Sequence, residues 1–198
     1  KIGNCPLNDG FIKPRFIRNT NGSPVYSQVG GSCYAYAACS AYINTILRVY
    51  GSKPPPSFDK CVKIADYNHG QGGAPDKSIE LIEDAFQYGI KVTTTTAIPT
   101  IKEIMTQSII ISFATSKEGW YHVANGSLLV KPPGEIDGWH ASLLEGFDFQ
   151  NNLYIVKNSW GGKDAKPRFD VDLKATHSFY FYKVYFTLDS ISNKTTKN

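Results

Sequence analysis

The residues best suited to chemistry fall at three places in a sequence of 198 residues. Gly30-Gly31-Ser32-Cys33 sets a cysteine after a glycine-rich turn, at the head of an alanine-rich run that reads as a helix. Glycine lets the backbone approach a ligand closely, and Ser32 can serve as an N-cap. Unpaired amides and the positive end of the helix dipole favour a thiolate there. A cysteine nucleophile also needs a base, a group to orient the base, and donors for an oxyanion. His140, in Asp137-Gly138-Trp139-His140-Ala141, stands at the edge of an expected strand. Further on, a second strand runs into Lys157-Asn158-Ser159-Trp160-Gly161. Asn158 can accept from one imidazole nitrogen and leave the other for Cys33, while Trp160 can shield that bond from water. The chemistry this set supports is thiol attack on an acyl carbon.

Taken singly, these residues have ordinary structural roles. A cysteine is most often a small buried apolar residue, a histidine beside a tryptophan a packing group, and an asparagine or a glycine pair part of a turn. Their occurrence together and in one order is what carries the reading. His122 is the rival base, but no strand ending in an orienting amide follows it. His69 reads as a solvated loop residue, and His177 carries no signal.

The elements that must hold these groups follow from local pattern. Residues 1–27 read as irregular, and a helix runs from about Cys33 to Tyr50, ended by Gly51 and Pro54-Pro55-Pro56. A polar loop leads to Gly70-Gln71-Gly72-Gly73. Pro75-Asp76 then opens a second helix with Ile79, Ile82 and Phe86 on one face and Gly89 as its stop. Thr93-Thr94-Thr95-Thr96 is β-branched and unsuited to a helix. After a short helix at Ile101–Gln107, strands are expected at Ile109–Ile111, Leu128–Val130, His140–Phe147, Leu153–Lys157 and Phe179–Phe186. The class is α+β with two segregated lobes and a cleft between them. Residues 12–95 form the mainly helical lobe carrying Cys33. Residues 96–198, with the extreme N-terminus, form the β-rich lobe carrying His140 and Asn158.

Composition narrows the functions open to such a chain. With a net charge of +4 and scattered Lys and Arg, there is no basic stripe interleaved with aromatics, so a nucleic-acid partner is not expected. No apolar run reaches the ~18 residues of a membrane span. The four cysteines, Cys5, Cys33, Cys39 and Cys61, contain no metal-type pair, so neither a metal nor a cofactor is expected. Cys39 reads as a buried apolar residue, and Cys5–Cys61 is the one bridge to consider. A chain that opens on Lys1 reads as a processed or trimmed form.

Together, Gln28, Gly31-Ser32-Cys33-Tyr34, Gly72-Gly73, Trp139-His140-Ala141 and Lys157-Asn158-Ser159-Trp160-Gly161 resemble the papain-like, cathepsin-type cysteine peptidases. The resemblance implies a helical N-terminal lobe and a β-barrel-like C-terminal lobe with the active site between. It makes Cys33 the nucleophile, His140 the base, Asn158 its orienting residue and Gln28 an oxyanion donor. Gly72 and Gly73 become the backbone ledge for an extended peptide, with Ala74, Trp139, Ala141 and Trp160 around the substrate. The implied activity is endopeptidase cleavage of polypeptides through a thiolate–imidazolium pair, by a monomer made with an inhibitory N-terminal propeptide. The implied setting is a lysosomal, endosomal, secreted or virion-like compartment. A peptide-binding protein on the same scaffold, or a transpeptidase or ligase, would use the same residues.

The sequence also departs from the family pattern. The loop from Gln28 to Cys33 is one residue short, and the cysteine usual just before the nucleophile is absent together with its partner before the glycine pair. The span from Cys33 to His140 is shorter than the family's ~130–150 residues. Lys163-Asp164-Ala165-Lys166-Pro167-Arg168 stands where a second tryptophan-glycine motif is usual.

Overall fold

The computed structural model describes residues 16–18, 26–49, 54–115, 138–159, 168–171 and 179–187. The expected strand at Leu128–Val130, together with Cys5, His122, Trp160 and His177, lies outside them. Helix α1 spans Cys33–Val49, and almost every side chain from Tyr34 to Ile46 is buried. Small alanines at 35, 37, 38 and 41 allow neighbours to approach on all sides, which suits a helix enclosed by other elements. Helices α2 (Phe58–Ala65) and α3 (Pro75–Phe86) pack against it.

Helix α2 falls within the stretch expected to be a polar loop. Ser57 caps it by accepting from the Lys60 amide, and Phe58, Cys61, Val62 and Ala65 share the buried face. Its lysines and aspartate hide that spacing in a reading by composition. Helix α3 begins at Pro75 as expected but ends at Gln87, in the left-handed conformation with φ 54°, and not at Gly89. Glu83 makes this possible by taking over the next two amides, since its carboxylate accepts from Gly89 N and Ile90 N at 2.8 Å each and from the Tyr42 hydroxyl at 3.2 Å.

Among the described residues, seven strands follow an antiparallel plan. They are β1 (Phe16–Arg18), β2 (Ile90–Thr95), β3 (Ser108–Thr115), β4 (Gly138–Asp148), β5 (Leu153–Lys157), β6 (Arg168–Val171) and β7 (Phe179–Phe186). Their order is β2-β7-β3-β4-β5-β6, with β1 on the far half of β4. Helix α4 (Ile101–Thr106), opened by a capping box between Thr100 and Glu103, leads into β3. Two strands, β1 and β6, fall where no regular structure was expected. Among the described residues the sheet is open and does not close on itself, which corrects the β-barrel-like expectation.

Strand β3 is central and buried along its whole length, which accounts for its unbroken apolar run. On one face Ile110, Ala141, Leu143, Tyr182 and Val184 join the core around α1. The opposite face forms a second cluster from Ile109, Ile111, Phe113, Leu144, Val156 and Phe181, closed by Ile104 of α4. The bridge considered between Cys5 and Cys61 is not formed. Cys61 is a buried free thiol beside the Cys39 thiol, enclosed where α2 meets α1.

Glu83 joins α1, the end of α3 and the start of β2 in one hydrogen-bonded knot. Glu83→Ala leaves two amides and a hydroxyl without their acceptor. It should lower the unfolding free energy by about 2–3 kcal/mol, read as a lower urea midpoint at unchanged slope.

Candidate functional site

The N-terminus of α1 opens onto a cleft of about 380 Å³ between the helices and the sheet. Gly31, Cys33 and Tyr34 line one side, Gly70–Gly73 a second, and Ser112, Trp139, His140 and Ala141 a third. Cys33 and His140, far apart in sequence, therefore share one cavity, with Gly72, Gly73, Trp139 and Ala141 around them. Gln28 and Ala74 lie outside this lining.

Ser32 occupies the capping position in an unexpected way. Its carbonyl accepts from Ala35 N and Tyr36 N, but its hydroxyl turns away and donates to the Val29 carbonyl at 2.6 Å. The first turn of α1 thus has no side-chain cap, and its two leading amides turn to the Cys33 sulfur at the cleft. The backbone amides of Ala141, Tyr34 and Cys33 itself reach the Cys33 sulfur and pull its pKa down. Burial acts in the opposite direction and is the larger effect, so the thiol sits above its ordinary value.

His140 is 5% exposed and bonds through Nε2 to Asn158 Oδ1 at 2.7 Å, with the Phe113 ring edge-on beside it. An amide oxygen only accepts, so Nε2 carries the proton and Nδ1 is left as the basic nitrogen. The same Oδ1 accepts from Ser159 N at 3.0 Å and lies 3.4 Å from the Ser142 hydroxyl, which holds the amide in place. Burial drives the His140 pKa down to about 4, with the Asn158 bond opposing it. A thiol pushed up and an imidazole pushed down favour the neutral pair. Both shifts oppose the thiolate–imidazolium pair that the resemblance implies, because enclosure in the cleft removes water that would solvate both charges.

Gln28 is fixed by Ser159. Its amide donates to the Ser159 carbonyl at 2.7 Å, and its Oε1 accepts from the Ser159 hydroxyl at 2.6 Å. Its Nε2 donates to the Gly30 carbonyl at 2.9 Å, which uses one of two hydrogens and leaves the second for another acceptor. Trp139 is 48% exposed, and its ring lies 5.7 Å from that of Tyr180, itself 44% exposed, at the rim.

Gly31 and the 70–73 segment meet closely. Gly31 N donates to Gly70 O at 2.8 Å, and a Cβ on Gly31 would sit 2.7 Å from that oxygen. Backbone contact thus joins the two loops at the place where the family resemblance implies a disulfide that this chain lacks. Sequence reasoning missed Ser112, Ser142 and the hydroxyl of Ser159. Ser142 lies two residues along β4 from His140, a signal that period-2 counting could have used, whereas Ser112 shares its strand with no other site residue. The Gln28–Ser159 contact spans 131 positions and left no local trace.

The sequence matches no protein-family profile and no curated protein. Solved structures do match. Xylellain, a cysteine protease from Xylella fastidiosa, aligns with a TM-score of 0.62 at 16% identity, covering 88% of this chain and 87% of that one. A Carica candamarcensis cysteine protease in complex with E-64 gives 0.63 at 18% identity, covering 88% of this chain and all of the other. The bromelain protease from Ananas comosus, also with E64, gives 0.61 at 16% identity with the same coverages. The chain has the papain-like fold, an α+β scaffold of cysteine peptidases.

Burial of neutral His140 carries a stability signature. Its folded pKa of about 4 lies below the ~6.5 of an unfolded histidine, so on acidification the unfolded chain takes up the proton first. Stability should therefore fall as pH drops from 6.5 to 4, by about 3 kcal/mol from this residue. Urea titrations across that range should show the loss, and His140→Gln should remove this part of the slope.

Proposed function

We propose that the protein is a cysteine endopeptidase in which Cys33 is the nucleophile, His140 the general base and acid, and Asn158 the residue that orients His140. The observation that carries the proposal is the shared cleft. There, the open first turn of α1 bears Cys33 against β4, beside a histidine whose tautomer an asparagine sets.

The reaction follows from the neutral pair. As the sulfur attacks a peptide carbonyl, its proton passes to His140 Nδ1, a base made competent by the Nε2–H bond to Asn158. The resulting oxyanion is met by the Cys33 amide and the remaining Nε2 hydrogen of Gln28. His140 then protonates the leaving amine, and a water activated by the same nitrogen releases the acyl group. Polypeptide substrates lie extended along Gly72 and Gly73, with Trp139 and Ala141 near their side chains. An N-terminal propeptide would occupy the same ledge before activation.

One observation favours a second reading, a peptide-binding protein with weak catalysis. Gln28 Nε2 is already engaged by Gly30, and loss of one oxyanion donor costs ~10²–10³ in rate. Turnover decides between the two. Cys33→Ala should abolish peptide hydrolysis and leave the unfolding midpoint unchanged, and residual turnover by this variant would exclude Cys33 as nucleophile. Asn158→Ala should lower kcat by ~10²-fold by freeing the ring. The acid limb of kcat/KM should fall near pH 4, where His140 gains its second proton and can no longer accept one.

A further inference from the structure

The segment that lines the cleft opposite Cys33 is held in a backbone shape it would not keep alone. His69, Gly70 and Gly72 all have positive φ, at 50°, 76° and 85°. The glycines adopt this region freely, but His69 does so only where its surroundings over-determine it. The restraints come largely from two tyrosines and an aspartate. Tyr34, next to Cys33 and 1% exposed, donates its hydroxyl to Asp66 Oδ1 at 2.6 Å and accepts from Asn68 N at 3.0 Å. The same Oδ1 accepts from Gly70 N at 2.9 Å. Tyr67 accepts from Ala74 N at 2.6 Å and packs edge-on against Tyr34 with centroids 5.3 Å apart. Asn68 Nδ2 closes the turn on the Gly72 carbonyl at 2.7 Å.

Gly73 lies directly on these rings. A Cβ there would stand 2.6 Å from the Tyr34 ring and 2.6 Å from the Tyr67 hydroxyl. We infer that Tyr34, held by Asp66, and Tyr67 are positioning residues that set the height and direction of the 70–73 backbone relative to the Cys33 sulfur, and so the register of a bound peptide. Tyr34 is suited to this because it is covalently adjacent to the nucleophile. Movement of its ring is movement of the ledge, while the sulfur stays anchored on α1. The Asp66 carboxylate fixes which way the hydroxyl points. Its proton goes to Asp66 and its lone pair to Asn68 N, so the two side chains together hold two backbone sites, Asn68 N through the hydroxyl and Gly70 N through the carboxylate. The inference rests on the reading of 70–73 as a peptide ledge, and it extends that reading to three side chains that act through the ledge backbone.

The test compares two alkylating reagents on Cys33. Iodoacetamide reports the thiol alone, whereas E-64, a peptidyl epoxide, also needs a backbone to lie on. In Tyr34→Phe and in Asp66→Ala the rate with E-64 should drop by about tenfold while that with iodoacetamide stays constant. Asp66→Asn, which keeps an accepting oxygen, should recover part of the loss. Tyr67→Phe, which frees only the Ala74 amide, should show a smaller drop and guards against misfolding of the other variants. An unchanged ratio of the two rates, or a parallel fall in both with the unfolding midpoint, would overturn the inference in favour of a purely structural role. So would a wild-type thiol no more selective for E-64 than its reactivity with iodoacetamide explains. Ledge-dependent labelling without peptide turnover would instead remove the peptidase proposal and leave this inference standing.

Discussion

The first turn of α1 meets the start of β4 at the point where the Ala141 amide reaches the Cys33 sulfur. This contact crosses from the helices to the sheet, and the remaining site geometry hangs on it. It can exist because α1 is enclosed between α2, α3 and one sheet face, so burial of its apolar surface fixes the helix as a rigid body. The sulfur and the imidazole are then brought to one cavity by elements that have no freedom to drift. Ser32 contributes by withholding its side chain. Bonded to Val29, it leaves the Cys33 and Tyr34 amides to the Cys33 sulfur.

The same enclosure sets the electrostatics. A helix N-terminus favours an anion, typically by a kcal/mol or less, while removing a charge from water costs several times as much. Burial wins here at both partners, so the thiol rises and the imidazole falls. Both shifts favour a neutral resting pair, which under the proposed mechanism reacts by moving one proton as the sulfur attacks. Orientation by Asn158 then matters more than pre-formed charge, because the base must present Nδ1 at the moment of attack.

Backbone does the work of side chains around the cleft. Gly31 and Gly70 touch through main-chain atoms, and Gly73 lies against two aromatic rings, so each of these contacts requires a residue without Cβ. Short polar links complete the arrangement: Ser159 to Gln28, Asp66 to Tyr34, and Glu83 to the α3–β2 junction. All three are partly buried, where a satisfied hydrogen bond is firm and an unsatisfied one is costly.

Much of this was legible before any coordinates. Helix α1 starts at Cys33 as read, β5 and β7 have the expected bounds, and β3 follows from its isoleucine run, because apolar periodicity and punctuation by glycine and proline are local properties. Helix α2 escaped because its short buried face is diluted by charged residues, and β1 and β6 because three or four residues carry too little pattern. By itself, then, the sequence determined which residues carry reactive groups, their order, and the strand or helix that bears each. Tertiary structure alone decided that Cys33 and His140 share a cavity, that burial pushes the thiol up and the imidazole down, and that Tyr34, Asp66 and Ser159 brace the walls. Proximity and desolvation depend on what folds back from distant parts of the chain, and no local pattern records them.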